Sequence, residues 1–342
     1  MSLNIKELIR GELKKWKIEQ AQIDPFGYCN AKCWFCPVRY SPNPSEGKVQ
    51  MPIELFEKII LEIIKERSDP DGIVSKKFNG LYTAHYNEVL LYKHFEKMLE
   101  ILNKHNLYTM ILSNGINLTP EKTDIIKKHQ RIISGICLNI PAFEPSLWEK
   151  RSGIKQEKFP QLIENINYAR KTLPDMVANK AFSIQINGID ETSKFQNNGW
   201  LEIGFDAPDF LQNENEMQLQ LAKRLFPEVN SFKVPHLIDR AGKLHQLGVI
   251  SNKKAIDKHL KKKQVVGCFH GKEIGGRPFG YLHVNAAGNL FLCCHDYDFE
   301  TLFGSIEEYS LRDLWFSEKH VEMIEKSFSD FCTKCASSQW SE

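Results

Sequence analysis

The sequence predicts an α/β protein in which six βα units form a parallel sheet that closes only partway into a barrel, followed by a small cysteine-rich C-terminal domain. Short apolar segments alternate with longer helical ones from residue 18 to residue 237, which is the pattern of βα units around a parallel sheet. After residue 265 the sequence becomes richer in glycine and carries five of the nine cysteines. Six units are fewer than the eight of a closed barrel, so we expect an open one.

Each predicted strand is a short apolar run, and each predicted helix carries apolar residues at helical spacing. The predicted strands are 18–24, 77–84, 108–113, 133–140, 181–187 and 231–237. The predicted helices are 52–66, 91–105, 120–129, 159–172 and 215–226. Pro52, Pro120 and Pro160 fall near first-turn positions, where proline removes no helical hydrogen bond.

Two of these strands have one polar face. Side chains alternate between the faces of a strand, so Cys137 and Asn139 share one face of the fourth strand. Ser183, Gln185 and Asn187 likewise share one face of the fifth. An apolar face under helices and a polar face toward a cavity fit a barrel with an interior active site. A sheet with one wet face is the alternative.

The segments outside the six units complete a division of the chain into four parts. The first residues place apolar side chains at near-helical intervals among charged ones, which predicts a docked amphipathic helix. The predicted parts are an N-terminal helix (1–17), the partial barrel (18–240), a helical bridge (241–265) and the cysteine-rich domain (266–342).

Charge and hydropathy exclude several classes of partner. The 45 basic and 43 acidic side chains leave a net charge of only +2, so no general field would attract nucleic acid or an anionic membrane. No apolar run approaches the roughly 20 residues that span a bilayer, and no signal peptide is recognisable. We therefore expect a cytoplasmic protein with neither a nucleic-acid nor a membrane partner. In that compartment, clustered cysteines more often hold metal than form disulfides.

The most informative motif is Cys29-Asn30-Ala31-Lys32-Cys33-Trp34-Phe35-Cys36, directly after the first predicted strand. A [4Fe–4S] cube needs one donor per iron, usually a thiolate, so the spacing C-x₃-C-x₂-C leaves one iron open. Zinc is the alternative, but structural zinc is closed by four ligands. The motif resembles the signature of the radical S-adenosylmethionine (SAM) superfamily.

That resemblance implies a partial (β/α)₆ TIM-like barrel and a [4Fe–4S] cluster on Cys29, Cys33 and Cys36, with SAM bound at the open iron. It implies an enzyme that reductively cleaves SAM to methionine and a 5′-deoxyadenosyl radical, which abstracts a hydrogen atom from a substrate C–H bond. An electron donor such as flavodoxin or ferredoxin would be a partner.

Other segments resemble the elements with which this family binds SAM. Glu88, and less closely Asn87, match a Gly-Gly-Glu turn that holds the SAM amino group, although the glycines are absent. A helix N-terminal acid is the alternative for Glu88. Ser113 begins a Ser-Asn-Gly run that resembles the family's Thr-Asn-Gly turn, and Asn139 stands where a serine approaches SAM. A plain turn is the alternative for the former.

Three further residues complete the predicted SAM site. Arg151 begins Arg-Ser-Gly, which resembles an Arg-x-Gly element whose planar guanidinium can bind the SAM carboxylate; a surface arginine is the alternative. Asn187 is expected near the ribose hydroxyls and Phe35 near the adenine. Ordinary packing or a strand-end hydrogen bond is the alternative for both.

A second set of cysteines resembles the SPASM/Twitch extension that follows many radical SAM barrels. Its members are Cys268, Cys293, Cys332 and Cys335. Four thiolates would saturate one auxiliary [4Fe–4S] cluster, which favours the shorter Twitch form; a zinc ribbon is the alternative. Cys294 adjoins Cys293, but the Gly-x₄-Cys spacing from Gly288 selects Cys293.

The substrate remains open at this stage. The first hypothesis is modification of a ribosomally made peptide or protein. The alternative is dehydrogenation or epimerisation of a small carbohydrate- or aminocyclitol-like substrate, and a remote alternative is a non-catalytic zinc-binding interaction protein. A cavity-facing Cys137 could return a hydrogen atom to a substrate radical, or it is a small core residue. His85, His236, Asp239 and Arg240 lie near predicted strand ends, where substrate would enter.

Overall fold

The computed structural model describes residues 5–42, 50–186, 202–203, 215–233, 238–251, 264–268 and 275–341. Its strands are β1 (Gln20–Ile23), β2 (Gly80–Tyr82), β3 (Tyr108–Ser113), β4 (Ile133–Asn139), β5 (Phe182–Gln185), β6 (Glu202–Ile203), β7 (Phe232–Lys233), β8 (Ile250–Ser251), β9 (Val265–Cys268), β10 (Tyr281–Val284), β11 (Asn289–Phe291), β12 (Leu302–Ser305) and β13 (Ser338–Trp340).

Its helices alternate with the strands through the first half of the chain. They are α1 (Ile5–Lys15), α2 (Ile53–Ser68), α3 (Phe95–Lys104), α4 (Pro120–Lys128), α5 (Pro145–Ser152), α6 (Phe159–Thr172), α7 (Pro174–Ala178), α8 (Asn215–Leu225), α9 (Lys243–Gln246), α10 (Arg277–Gly280), α11 (Leu311–Trp315) and α12 (Glu318–Ser329). Among the described residues, no helix is both long and apolar enough to cross a membrane.

A nine-stranded sheet organises the fold, in the order β12-β11-β10-β1-β2-β3-β4-β5-β7. The strands from β1 to β7 in this order run parallel. They fall within the six strands that the sequence predicts, and α2, α3, α4, α6 and α8 match the five predicted helices. The prediction of an open, parallel α/β barrel is confirmed.

The helices begin and pack as the sequence pattern predicts. Thr119 precedes α4, and its side chain accepts a hydrogen bond from the Lys122 N–H, with Pro120 in the first turn. In α2 the stripe Phe56, Ile59, Ile60 and Ile63 is buried against the sheet core.

The C-terminal segment extends the same sheet. β10 pairs in parallel with β1, from Gln20 with Tyr281 to Ile23 with Val284, and β11 and β12 continue antiparallel from it. A separate antiparallel pair joins β9 to β13, with Cys268 opposite Ser338. The second cysteine set is therefore built directly onto the edge of the barrel sheet next to β1.

Candidate active site

A cavity of about 240 Å³ opens at the carboxyl ends of the parallel strands. This is the end at which parallel α/β sheets carry their ligands, because the connecting loops converge there. The loop after β1 brings all three cysteines of the first motif to it. The lining residues are Gln22, Cys29, Ala31, Cys33, Phe35, Cys36, Ala84, His85, Tyr86, Asn87, Glu88, Leu112, Ser113, Asn114, Asn139, Arg240 and Cys294.

The cysteine loop is fixed by the end of α5. Lys32 N donates to Ser152 O (2.7 Å), and Trp34 N donates to Arg151 O (2.9 Å). Gly153 follows with φ of 70°, and a Cβ there would lie 2.9 Å from the Lys32 Cβ. Only glycine lets the two segments approach this closely in a left-handed conformation. The Arg-Ser-Gly element therefore supports the cysteine loop from behind.

The three thiols of the loop are suited to iron. Cys29, Cys33 and Cys36 are free and partly buried. Desolvation raises the pKa of each thiol, and the neighbouring thiols raise the pKa of Cys33 further. Since the thiolate is the metal-binding form, a cationic centre is needed to keep all three ionised here. The donor set fits a cluster with three protein ligands and one open iron.

Glu88 lies buried at the cavity wall, before the helical turn Val89–Leu91. Its Oε2 accepts a hydrogen bond from Asn114 N (2.8 Å), and its Oε1 accepts one from Leu90 N (3.3 Å). Burial raises the pKa of Glu88 to about 7 in spite of these donors. The carboxylate thus caps the turn, as the alternative interpretation predicts, and also lines the cavity.

Most of the other residues predicted to bind SAM line the same cavity. They are Phe35, Asn87, Ser113 and Asn139. The turn after β3 is tied to the cysteine loop, because Asn114 Nδ2 donates to Asn30 Oδ1 (2.8 Å). Within that turn, Gly115 N donates to Ser113 Oγ (3.0 Å). The elements that the resemblance singles out are therefore adjacent in space.

Two predicted residues are not brought to this cavity, and a third is not described. Arg151 is fully buried, is not among the residues that line the cavity, and donates its Nη1 to Pro141 O (3.0 Å), so its contact with SAM stays a prediction. Cys137 precedes Asn139 by two residues, which sets it about 6.6 Å deeper along β4, and it is 3% exposed. Cys137 is not among the residues that line this cavity, and its role as a hydrogen donor likewise stays a prediction. Asn187 lies outside the described residues.

Cys294 and His85 line the cavity although the sequence assigned neither a definite role there. His85 Nε2 donates to Cys294 O (2.6 Å), and its Nδ1 lies 3.0 Å from Asp24 Oδ2. Cys293 and Cys294 lie where β11 passes into a turn, in which Asp296 N donates to Cys293 O (2.9 Å), and Cys294 lines this cavity while Cys293 borders the second one.

The second cysteine set lines a separate cavity. Cys268, Cys293, Cys332 and Cys335 all border it, with apolar walls that include Phe328. Burial raises the pKa of Cys268 to about 11 and raises those of Cys332 and Cys335 well above the ordinary value. Four thiols in an apolar pocket match the complete ligand set of an iron–sulfur cluster.

The backbone at Gly276 passes close to the second cysteine pocket. Gly276 has φ of 103°, and a Cβ there would lie 2.7 Å from Cys268 Sγ. The next residue, Arg277, donates its backbone N–H to Cys268 Sγ (3.4 Å) and its Nη1 to Cys293 Sγ (3.7 Å). Glycine at 276 therefore allows the hydrogen-bond donors of Arg277 to reach two thiols.

Cys293 differs from the other three cysteines in its electrostatics. Its Sγ accepts hydrogen bonds from Arg277 Nη1 and from His295 N (3.4 Å). The neighbouring Cys294 thiol, with Arg277, lowers the pKa of Cys293 below its ordinary value. His295 Nδ1 also lies 3.9 Å from Cys335 Sγ. The polar wall formed by Arg277 and His295 stabilises negative charge on this side of the pocket.

An open three-cysteine loop at the carboxyl end of a partial barrel, with a second cysteine pocket built on the same sheet, defines an iron–sulfur enzyme. The chain belongs to the radical SAM superfamily, which it matches over residues 23–193. Residues 276–336 match SPASM, an iron–sulfur cluster-binding domain. The cofactors of the whole chain are accordingly a [4Fe–4S] cluster with SAM, from the first match, and an auxiliary iron–sulfur cluster, from the second. No curated protein sequence matches the chain.

Several solved structures share the fold at low sequence identity. SuiB of Streptococcus suis bound to precursor peptide SuiA is 14% identical with a TM-score of 0.58, covering 96% of this chain and 73% of SuiB. BtrN in complex with AdoMet and 2-DOIA is 16% identical with a TM-score of 0.51, covering 93% of each chain. anSMEcpe with AdoMet and the Cp18Cys peptide is 15% identical with a TM-score of 0.52, covering 93% of this chain and 86% of that one.

Proposed function

We propose that this radical SAM enzyme modifies a ribosomally made peptide or protein. When bound, the [4Fe–4S] cluster and SAM supply a 5′-deoxyadenosyl radical, which removes a hydrogen atom from a substrate C–H bond. The observation that carries the proposal is that one cavity is lined both by the three-cysteine loop and by Cys294, which adjoins the second cysteine pocket. Support for a peptide comes from SuiB and anSMEcpe, which were solved with peptides.

The cavity residues have distinct roles in this proposal. Cys29, Cys33 and Cys36 hold the cluster. Glu88 accepts the ammonium group of SAM, helped by Asn87, because it is an acid lining the cavity. The remaining contacts to SAM come from Phe35, Ser113 and Asn139, and for the ribose from Asn187. An external donor such as flavodoxin or ferredoxin supplies the electron.

The second pocket holds the auxiliary cluster through Cys268, Cys293, Cys332 and Cys335. Cys294 is not one of its ligands in this proposal, because its side chain lines the other cavity. The peptide link between Cys293 and Cys294 then gives a short covalent path between the auxiliary cluster and the substrate side of the active site. His85 fixes the backbone at Cys294, directly after this link, through its hydrogen bond to Cys294 O.

A small carbohydrate-like substrate is the second candidate. It is favoured by the match to BtrN, which was solved with 2-DOIA. That match covers 93% of this chain and 93% of BtrN. The chain thus corresponds to nearly the whole of BtrN, whereas it covers 73% of SuiB.

Deuterium transfer distinguishes the two candidates even while the substrate is unidentified. The anaerobically reconstituted protein is incubated with SAM, a strong reductant and perdeuterated cell material separated into peptide and small-molecule fractions. We expect 5′-deoxyadenosine to gain one mass unit with the peptide fraction alone. The Cys33→Ala variant serves as the control that lacks a cluster ligand.

Each result has a definite meaning. Mass gain with the small-molecule fraction alone would replace the first candidate by the second. Absence of 5′-deoxyadenosine under all conditions, with zinc and no iron in the purified protein, would contradict the radical chemistry itself.

A further inference from the structure

Arg240 brings a positive charge to the active-site cavity. Its side chain lines the cavity, and no hydrogen bond or ion pair reaches its guanidinium from the residues that the structure describes. Its Nε is buried without a partner among those residues. The guanidinium lies 5.6 Å from the ring centroid of Tyr86, which supports it from one side. A buried N–H donor without a partner is costly unless a ligand or water accepts its hydrogen bond.

The backbone around Arg240 holds this side chain in place at a conformational cost. Arg240 and Ala241 have φ of 54° and 52°, a left-handed conformation that is unfavourable for residues with a side chain, and Gly242 follows with φ of 82°. Asp239 Oδ2 accepts a hydrogen bond from Ala336 N (2.8 Å). Strain of this kind persists where surrounding contacts impose it, typically at functional sites.

The same loop is packed against the second cysteine pocket. A Cβ at Gly242 would lie 2.8 Å from Lys334 O, within the turn between Cys332 and Cys335. The loop is thus anchored to the wall of one pocket while Arg240 extends into the other cavity. This gives Arg240 a fixed position on the side of the cavity nearest the auxiliary pocket.

The location of Arg240 separates it from the predicted site of the SAM amino group. Its guanidinium acts electrostatically on Cys36 and Cys294. Glu88 accepts hydrogen bonds from Asn114 N and Leu90 N at the wall of the same cavity. The amino and carboxylate groups of SAM would chelate one iron and therefore lie together near Glu88. Arg240 lies over Tyr86, whose hydroxyl donates to His295 O (3.4 Å), so a group bound by Arg240 lies on the side toward the second cysteine pocket.

We propose that Arg240 binds a carboxylate of the substrate in this cavity. A guanidinium presents two parallel N–H donors that match a carboxylate in geometry and charge. The inference rests on the proposed peptide substrate, which carries such groups on acidic side chains and at its C-terminus. SAM also carries a carboxylate that Arg240 could bind, and the experiment distinguishes a substrate carboxylate from that of SAM.

The test measures ligand binding without turnover. Cluster-loaded wild type, Arg240→Gln and Arg240→Lys are titrated anaerobically with SAM and with decarboxylated SAM. The reduced proteins, loaded with S-adenosylhomocysteine, which has no sulfonium bond to cleave, are then titrated with N-acetylglutamate amide or its uncharged counterpart N-acetylglutamine amide, and the electron paramagnetic resonance signal of the cluster is recorded. Iron content and the visible spectrum verify that each variant is loaded.

The expected result is equal SAM affinity in wild type and Arg240→Gln, with a response to N-acetylglutamate amide that is at least tenfold weaker in the variant and partly restored in Arg240→Lys. A tenfold loss of affinity for SAM but not for decarboxylated SAM would assign the carboxylate to SAM. If neither ligand distinguishes the variant from wild type, the proposal is overturned.

Arg39→Gln is the matched control. Arg39 also acts electrostatically on the cysteine loop, at Cys33, but its guanidinium donates to Lys32 O and Lys150 O and does not line the cavity. An equal effect of Arg39→Gln would mean that Arg240 only offsets the charge of the cluster. Formation of 5′-deoxyadenosine by the wild type tests the proposed function separately, so failure of one proposal is distinguishable from failure of the other.

Discussion

Replacing Glu88 by glutamine is expected to weaken SAM binding by about 10- to 150-fold. Burial raises the pKa of Glu88 from 4.5 to about 7, so ionising it in the folded protein costs about 3.4 kcal/mol more than in water, at 1.36 kcal/mol per pKa unit. The ammonium group of SAM would offset much of that cost through a hydrogen bond between charged groups, worth about 1.5–3 kcal/mol. Glutamine keeps the shape of the side chain but loses the charged hydrogen bond. Since every 1.4 kcal/mol is about tenfold in affinity, a loss of about 1.5–3 kcal/mol gives the expected range.

The same shift predicts a dependence on pH. Below pH 7 the Glu88 carboxyl group is protonated and must lose its proton to bind the ammonium group, so each unit of pH costs about tenfold in affinity. Above pH 7 the affinity reaches a plateau. For stability without ligand the sign is opposite, because the folded-state pKa lies above the unfolded one. That contribution to folding is present below pH 4.5 and is lost as the pH rises through 7.

Anaerobic titration calorimetry with SAM from pH 6 to pH 8, on cluster-loaded protein, measures both the loss of affinity in Glu88→Gln and the dependence of the affinity on pH. Wild type should bind SAM about tenfold more weakly at pH 6 than on the plateau, whereas Glu88→Gln should show a flat profile. The exposed Glu121→Gln is the control for loss of a remote charge. If Glu88→Gln lowers thermal stability yet keeps the wild-type affinity and pH profile, Glu88 only caps the turn at Leu90 and the reasoning is refuted.

Three further outcomes are expected. Cys332→Ala should reduce iron from about eight to about four per chain, and an unchanged iron content by colorimetric assay would exclude this residue as a ligand. Arg277→Gln should lower the midpoint potential of the auxiliary cluster by about 60 mV, since a charged hydrogen bond of about 1.4 kcal/mol equals about 59 mV for one electron. A spectroscopic redox titration measures this potential, and that of Arg277→Lys should lie between those of wild type and Arg277→Gln. Equal potentials in all three proteins would argue against the contact to Cys293. Phe56→Ala, at a residue with 0% exposure, should lower the free energy of unfolding by about 3–5 kcal/mol, whereas the exposed Tyr309→Ala should change it little in the same denaturant titration.

Local pattern was enough to predict the parallel strands and the first cysteine loop. The strand 108–113 coincides with β3 because its apolar run is bounded on both sides by polar residues. Asn139 lies at the cavity because it ends β4, and Glu88 lies there in the loop that follows β2, since the loops after parallel strands meet at one edge of the sheet. Such features depend on residues close together in the sequence.

The sequence did not show how deep the cavity extends along the strands, nor which residues distant in the chain contact each other. Alternation along β4 places Cys137 on the correct face but does not say how far along the barrel the cavity extends, and the thiol lies too deep. The Arg-Ser-Gly run predicted a ligand contact for Arg151, whereas its packing against Lys32 depends on a loop more than a hundred residues away. Arg240 reaches the cavity only because the Asp239 loop docks on Ala336, a contact that no local pattern encodes.

The pairing of β1 with β10 has a consequence for the order in which the protein is made. The two strands are about 260 residues apart in the chain, yet they are neighbours in the sheet. At a synthesis rate of about 5–20 residues per second, one edge of β1 stays without its partner for roughly 13 to 50 s. All three cysteines of the first motif have left the ribosome long before that edge is covered. We therefore expect stable insertion of iron at this motif to follow the synthesis of β10, and a nascent chain arrested before residue 281 to retain no cluster.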